Sequence, residues 1–309
     1  MGVIKIKRKV IQIAGSSFLV SLPKKWAVKY GVTKGDEVDV QEQNDTILIS
    51  TNAENQVIKS ELDITNLDPM VLRCIIALYK KGVDEIKVRF KDPSLIESVQ
   101  KAIGKEAVGY EIIDQGENHC KIKHVSGEFE DFDPVLRRTL LLLMSMADES
   151  LSALKKGEFS RLKNIAFLEE ANNRFTTSCR RFLNKKGHKE YGKTGPIYYV
   201  VEDLENLADE YKYMLNYLSQ HENQEPLNNS IIKLYEETGK LMRTFYEIFY
   251  KFDKAKLVKI GNTRKQFVKK AHTLFEGVTD KRELKVVHHL LVIMQKIFNL
   301  VGPILIYKL

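Results

Sequence analysis

Residues 5–49 set the tightest limit on what this chain can fold into. They contain its only tryptophan, Trp26, and apolar runs too short to close a core, so about forty-five residues of this make-up need a second copy or another support. Val10, Ile11 and Ile13 read as a strand, interrupted by Gly15-Ser16-Ser17 and resumed by Phe18, Leu19 and Val20. Pro23 presets the first turn of a short helix from Lys24 to Tyr30, which Gly31 stops. Gly35-Asp36 turns the chain into a strand at 38–40, and Asn44-Asp45 makes a hairpin to a strand at 47–49.

The same stretch is one-signed at its start. No acidic residue precedes Asp36, while Lys5, Lys7, Arg8, Lys9, Lys24, Lys25, Lys29 and Lys34 are cationic. Two copies in a small β-rich dimer would add these into one basic face, the footprint of a phosphate-backbone binder; a solvated surface is the plainer reading. The run from Gly15 through Pro23-Lys24-Lys25-Trp26, followed by Gly31 to Gly35-Asp36, resembles the AbrB/SpoVT swapped-hairpin DNA-binding family. The resemblance implies a homodimer in which two chains interleave their hairpins into one barrel. It also implies that basic residues beside the first strand and on the Pro-Lys helix meet DNA. Lys5, Lys7, Arg8, Lys9, Lys24 and Lys25 are the candidate DNA contacts, and Gly15, Pro23, Gly35 and Asp36 match the turn-forming positions.

A chain of 309 residues has room for two or three domains, and 43% hydrophobic with 29% charged residues is ordinary for a soluble globular protein. The net charge of +8 is modest, so its distribution matters more than its total. Cys74, Cys120 and Cys179 lie far apart with no C-x-x-C and read as reduced thiols. No export signal is expected, and residues 140–144, read as the longest apolar stretch, are too short to span a bilayer. The expectation is a cytoplasmic protein without membrane insertion.

The fold class expected is multidomain α+β. A swapped-hairpin unit spans 1–52, a small β-α-β-α-β-β domain spans 57–126, and two all-α three-helix bundles follow at 133–223 and 227–309. In the α/β part, Asp68-Pro69 and Asp92-Pro93 each open a helix, the first carrying Leu72, Ile75, Ile76 and Tyr79 and the second Leu95, Ile96, Val99 and Ile103. After Asp133-Pro134 only helix-period stripes remain. Leu136 to Leu154, Ile165 to Phe182 and Val201 to Leu218 make one set; helices at 231–252, 254–275 and 284–307 repeat the order, Asp280 and Glu283 resembling a capping box before the last.

Tandem three-helix sets with Glu205 and Asp209 four apart on the third helix resemble PhoU, the phosphate-uptake regulator, and the whole order is similar to archaeal PhoU-related regulators. The resemblance implies a phosphate-linked transcriptional regulator, with a transporter or signalling protein as a further partner. It also implies a divalent or ferric ion held in the first bundle by Glu169, Glu205 and Asp209. Asn173 stands where a carboxylate is expected, and in the second bundle Gln295, Asn299 and Arg264 occupy the matching places, so no metal is expected there. Ordinary helix-surface charge is the alternative reading of the acidic pair.

Residues 187–194 satisfy G-x-x-x-x-G-K-S/T, but the phosphate loop needs a buried strand before it and a helix directly after. Here a helix precedes it and Gly195-Pro196 is expected to separate Thr194 from the next one, so a nucleotide hydrolase is the remote alternative and no enzyme is expected. A PhoU-type adaptor acting on a transporter or kinase, its hairpin kept only for dimerisation, is the nearer rival. Residues 254–274 hold seven Lys and Arg and no acid, a second surface for DNA or an acidic partner, or a solvated helix face.

Overall fold

The structure, a computed structural model, describes residues 6–13, 15, 17–43, 45–51, 57–127, 129, 131–220 and 225–309. The chain divides into two units, Met1–Val57 and Ile58–Leu309.

In the first unit β1 (Ile11–Ile13) pairs antiparallel with β2 (Ser17–Leu19), Ile11 opposite Leu19. Gly15 therefore does not interrupt one strand but reverses the chain between two. Its φ of 76° is a conformation glycine adopts without strain, and its carbonyl accepts the Gln12 side-chain amide at 3.0 Å. Helix α1 (Lys24–Lys29) starts from Pro23 at φ −64°, whose carbonyl accepts the Trp26 and Ala27 amides. Strands β3 (Val38–Gln43) and β4 (Thr46–Thr51) form a second antiparallel pair.

The second unit opens with β5 (Lys59–Asp63), α2 (Val71–Lys80), β6 (Glu85–Arg89), α3 (Leu95–Glu106), β7 (Tyr110–Gly116) and β8 (His119–His124). The sheet order is β5-β6-β8-β7, with β5 parallel to β6 and the other neighbours antiparallel. Period-two alternation puts Ile86 and Val88 against Ile75, Ile76, Tyr79 and Val99 of the helices, while Lys87 and Arg89 are exposed.

The remainder is helical: α4 (Phe132–Lys156), α5 (Ser160–Ala166), α6 (Leu168–Lys186), α7 (Thr194–Ser219), α8 (Asn229–Tyr250), α9 (Lys254–Gly277), α10 (Lys281–Asn299) and α11 (Val301–Lys308). Four of them carry side-chain caps, of which only the last was expected from sequence: Asp131, Asn228, Asp253 and Asp280 accept backbone amides at the starts of α4, α8, α9 and α10. The expected capping box at 280–283 is only half formed. Glu283 reaches instead to the backbone amide of Asn228, 2.6 Å away, and so ties the start of α10 to the start of α8.

Four further expectations need correction. The second helix of the first set is broken at Phe167, with no glycine or proline to mark it; Leu162 and Ile165 on α5 and Cys179 and Leu183 on α6 all reach the core. The last helix breaks at Leu300, where Pro303 lacks the N–H that would bond the carbonyl of Asn299. Helix α7 starts at Thr194 rather than beyond Pro196, since a proline in the first turn removes an amide that has no intrahelical partner anyway. Among the described residues the stretch from Lys281 to Lys308, and not 140–144, is the one long and apolar enough to cross a membrane; here Val286, Leu290, Ile293, Met294 and Ile297 on it are fully buried.

The α/β part has a core of its own, built from residues such as Ile64, Ile75, Val88 and Ile122. One core runs through both helical sets, from Leu136, Leu204 and Tyr211 to Ile231, Phe245, Phe267 and Leu290. Helices α7 and α10 pack against each other, and the His289 ring meets the Glu210 carboxylate at 2.6 Å. The α/β part docks on α6 through a buried arginine. Arg181 donates to the carbonyls of Val83 (2.6 Å) and Tyr79 (3.2 Å), pairs with Asp84 at 2.5 Å, and lies over the Tyr79 ring. Lys185 and the Ile58 amide also hold Asp84, and Asn184 donates to the Lys80 carbonyl. Burial pushes the Asp84 carboxyl up, but Lys185, the Ile58 amide and Arg181 together keep it below its ordinary value.

At the same junction burial, then the neighbouring Arg180, pulls the Lys80 ammonium down to about 8. The unfolded state, with the ordinary value of 10.5, then binds more protons than the folded state between those limits, so this group favours folding more as pH rises from 8 to 10.5. Lys80→Met is accordingly expected to raise the melting temperature near pH 7, by about 2–4 °C for roughly 1 kcal/mol after solvent screening. The gain should vanish by about pH 10.5. Calorimetric melts of both proteins across pH 6.5–10.5 check this, and an equal offset at every pH would refute it.

Candidate nucleic-acid interface

Among the described residues of the first unit, none is buried. Phe18, Val28 and Ile47 are 69%, 72% and 65% exposed. The register of the β1–β2 hairpin puts Ile11, Ile13 and Leu19 on one face and Val10, Phe18 and Val20 on the other. Both faces are apolar and both are open. A hairpin of this kind cannot remain uncovered in water, and a partner layer on each side is the arrangement that buries it.

The predicted cations sit on this coreless frame. Lys7, Arg8 and Lys9 lie in the segment leading into β1, and Lys24 and Lys25 occupy the first two positions of α1; all five are exposed. Lys5 lies outside the described residues. The first acidic residue is taken up by a turn: Asp36 accepts the Thr33 amide at 2.7 Å and its hydroxyl at 3.0 Å, and these bonds hold its carboxyl below the ordinary value. Trp26 packs on Tyr30 at 5.5 Å between ring centres, and the Lys29 ammonium lies over the same tyrosine. The surface can thus present fixed positive charge to phosphates. No base-reading geometry follows from it.

The three carboxylates expected to hold a metal are not brought to one focus. Glu169 is buried on α6, where its Oε1 accepts Lys212 Nζ at 2.8 Å and the Asn173 amide. The same ammonium donates to Asp209 at 2.6 Å. Glu205 turns elsewhere: it pairs with the fully buried Arg180, accepts Thr176 Oγ1 at 3.1 Å, and has Lys80 at 3.9 Å. Burial raises the Glu169 carboxyl despite Lys212, so the site favours a proton or the internal ammonium over a naked carboxylate pair. Among the described residues no group of three or more His, Cys, Asp or Glu side chains is placed to hold a metal ion. A divalent or ferric ion at Glu169, Glu205 and Asp209 does not fit this geometry, because the chain's own cations fill the space between the carboxylates. Reading by family motif missed Lys212 and Arg180. The spacing of Asp209 and Lys212, three apart on one helix, was a usable signal for the first; nothing local marked the second.

In the second helical set Arg264 donates to Gln295 Oε1 at 3.2 Å, and Gln295 donates to Asn299. The segment 187–194 follows helix α6 and not a strand. Its Lys193 ammonium pairs with Glu190 at 2.6 Å, and the Thr194 hydroxyl accepts the His188 amide. On the sheet of the α/β part, a cavity of about 580 Å³ is lined by Lys59, Glu85, Lys121 and neighbours. Glu85 bridges the two lysines at 3.4 and 3.1 Å, so these three charges are satisfied among themselves.

The family model described as antidote-toxin recognition MazE, bacterial antitoxin, matches residues 11–56. This match supports reading the first unit as a swapped-hairpin DNA-binding domain. No curated protein and no solved structure matches the chain.

Proposed function

We propose that this protein is a homodimeric, cytoplasmic DNA-binding regulator whose first unit contacts DNA and whose helical unit receives a signal or a partner. The carrying observation is the coreless first unit: its hairpins leave their apolar faces open, and Lys7, Arg8 and Lys9 before β1 and Lys24 and Lys25 on α1 are exposed beside them in the chain. Two copies would bury the apolar faces and add the cations into one surface. The MazE-type match over residues 11–56 supports the same reading. A role in phosphate uptake rests on the PhoU resemblance of the tandem helical sets, without a metal. In the rival reading the protein is an adaptor on a transporter or kinase and does not occupy operators.

The test has two arms. In vitro, binding of the full chain to duplex DNA should weaken steeply with salt, since about six phosphate contacts made by the two first units of a dimer by themselves give a log–log slope of roughly −5. Arg8→Ala with Lys24→Ala should make the slope shallower by about 3 to 4, two positions in each of two copies. In cells, occupancy of the genome should change between phosphate-rich and phosphate-poor growth. An unchanged slope removes the first unit as the DNA contact, and unchanged occupancy removes phosphate as the signal.

The description of the matched family names toxin recognition, which is the one specific reason for a second reading, a toxin antidote. The chain differs from a short antidote in carrying the folded unit Ile58–Leu309.

A further inference from the structure

Most of the positive charge of this protein is not in its first unit. Residues 254–308 hold twelve Lys and Arg against three Asp and Glu, a net +9, whereas residues 1–57 hold eight against six, a net +2. The whole chain is +8, so the remainder is slightly acidic. The concentration is sharpest on α9, where residues 254–275 carry no acid at all.

The structure sorts the cations of α9 into two groups. At its borders they are spent internally: Lys256 pairs with Glu247 at 2.7 Å, Lys270 pairs with Glu237, and Arg264 bonds Gln295 and lies over Phe298. Along its middle, Lys259, Lys265 and Lys269 are exposed, and among the described residues none has an ion pair. Asn262 and Gln266 lie between them and are also exposed. The opposite side, Ile260, Phe267 and Ala271, is buried in the core, which fixes this face outward. The matching helix of the first set does the reverse: on α6, Arg180 and Arg181 are buried and paired. Like charges four apart, as in Lys265 and Lys269, oppose helix formation, so packing gives no reason for this row.

We infer that the outer face of α9 is a second phosphate-contacting surface that docks on the backbone of duplex DNA. The choice of DNA rests on the reading of the first unit proposed above. Charge complementarity supplies the attraction, and Lys259 to Lys269 span about 15 Å along the helix, enough to meet several phosphates. Asn262 and Gln266 supply amide donors of the kind that bond phosphate oxygens. A membrane surface is disfavoured because the apolar side of this helix is already buried and unavailable to lipid.

The test is titration of the full chain with a labelled thirty-base-pair duplex at several salt concentrations, comparing wild type, Lys259→Gln/Lys265→Gln/Lys269→Gln, the same three changed to Arg, and the Arg8→Ala/Lys24→Ala variant. The glutamine triple should lower the magnitude of the salt slope by about 2 to 3 per chain engaged without lowering the melting temperature, because these side chains are exposed and the change relieves the Lys265–Lys269 repulsion. The arginine triple should keep the wild-type slope. A wild-type slope in the glutamine triple overturns the inference, whatever the hairpin variant does. A reduced slope in the triple alongside wild-type binding in the hairpin variant would sink the reading of the first unit and retain this one. Binding of the wild type, but not the triple, to anionic phosphatidylserine vesicles, with no difference on DNA, would also overturn it.

Discussion

Arg181→Ala is expected to destabilise the 58–309 unit by about 3–5 kcal/mol, the usual consequence of removing one partner from a buried ion pair. The guanidinium is 1% exposed and serves two backbone carbonyls, one carboxylate and an aromatic face at once. Truncation leaves a cavity between α6 and the α/β part and removes one of the groups holding Asp84 ionised. Lys185 and the Ile58 amide remain on Asp84, and Tyr110 still donates to the Val83 carbonyl at 2.7 Å, which places the loss toward the lower end of the range. For a unit of this size that corresponds to a melting temperature lower by about 10 °C. Arg181→Lys should recover only part of it, since one ammonium cannot span the carbonyls and the carboxylate in the planar geometry of the guanidinium. Denaturant unfolding of the three proteins measures this. A loss below about 1 kcal/mol for the alanine variant would mean that water satisfies the freed carbonyls and that the arginine does not weld the two parts together.

Phe18→Asp is expected to abolish dimerisation, and with it DNA binding, while leaving the 58–309 unit folded. In the single chain this side chain is 69% exposed, so its replacement by a carboxylate should matter little to an isolated copy. In a dimer that covers the open hairpin faces it would place two unpaired carboxylates in apolar surroundings, at a few kcal/mol each. That weakens association by about 10³-fold or more. Sedimentation equilibrium should report a dimer for the wild type and a monomer for the variant at micromolar concentration, and the wild-type first-unit melt should rise with protein concentration. A variant that stays dimeric would place the dimer contact outside the hairpin and remove the argument from its two apolar faces.

Much of this architecture was legible in local pattern. The alternation at 84–90 marked β6, the apolar spacing of Leu136 to Leu154 marked α4, and Gly157 at φ 72° ended it. Pro23 and Asp280 marked the starts of α1 and α10. Each of these signals acts within a turn or two of chain, where covalent geometry and a single hydrogen bond decide the outcome. The acid-free run before Asp36 and the row of lysines on α9 were likewise readable without coordinates, because net charge needs no geometry.

The tertiary structure alone decided what lies between elements. That Gly15 reverses the chain and pairs β1 with β2, that α5 and α6 part at Phe167, and that the two helical sets share one core depend on contacts no periodicity contains. The carboxylates make the point most clearly. Glu205 and Asp209 share a helix face as their spacing requires, yet Arg180, 25 residues earlier in the chain, takes the first, while Lys212 bridges the second to Glu169, 43 residues from that lysine. Spacing along a helix fixes which side chains are neighbours on that helix. Which cation reaches a buried carboxylate from another helix is set by packing, and it is that contact which replaces a metal site with an internal ion pair.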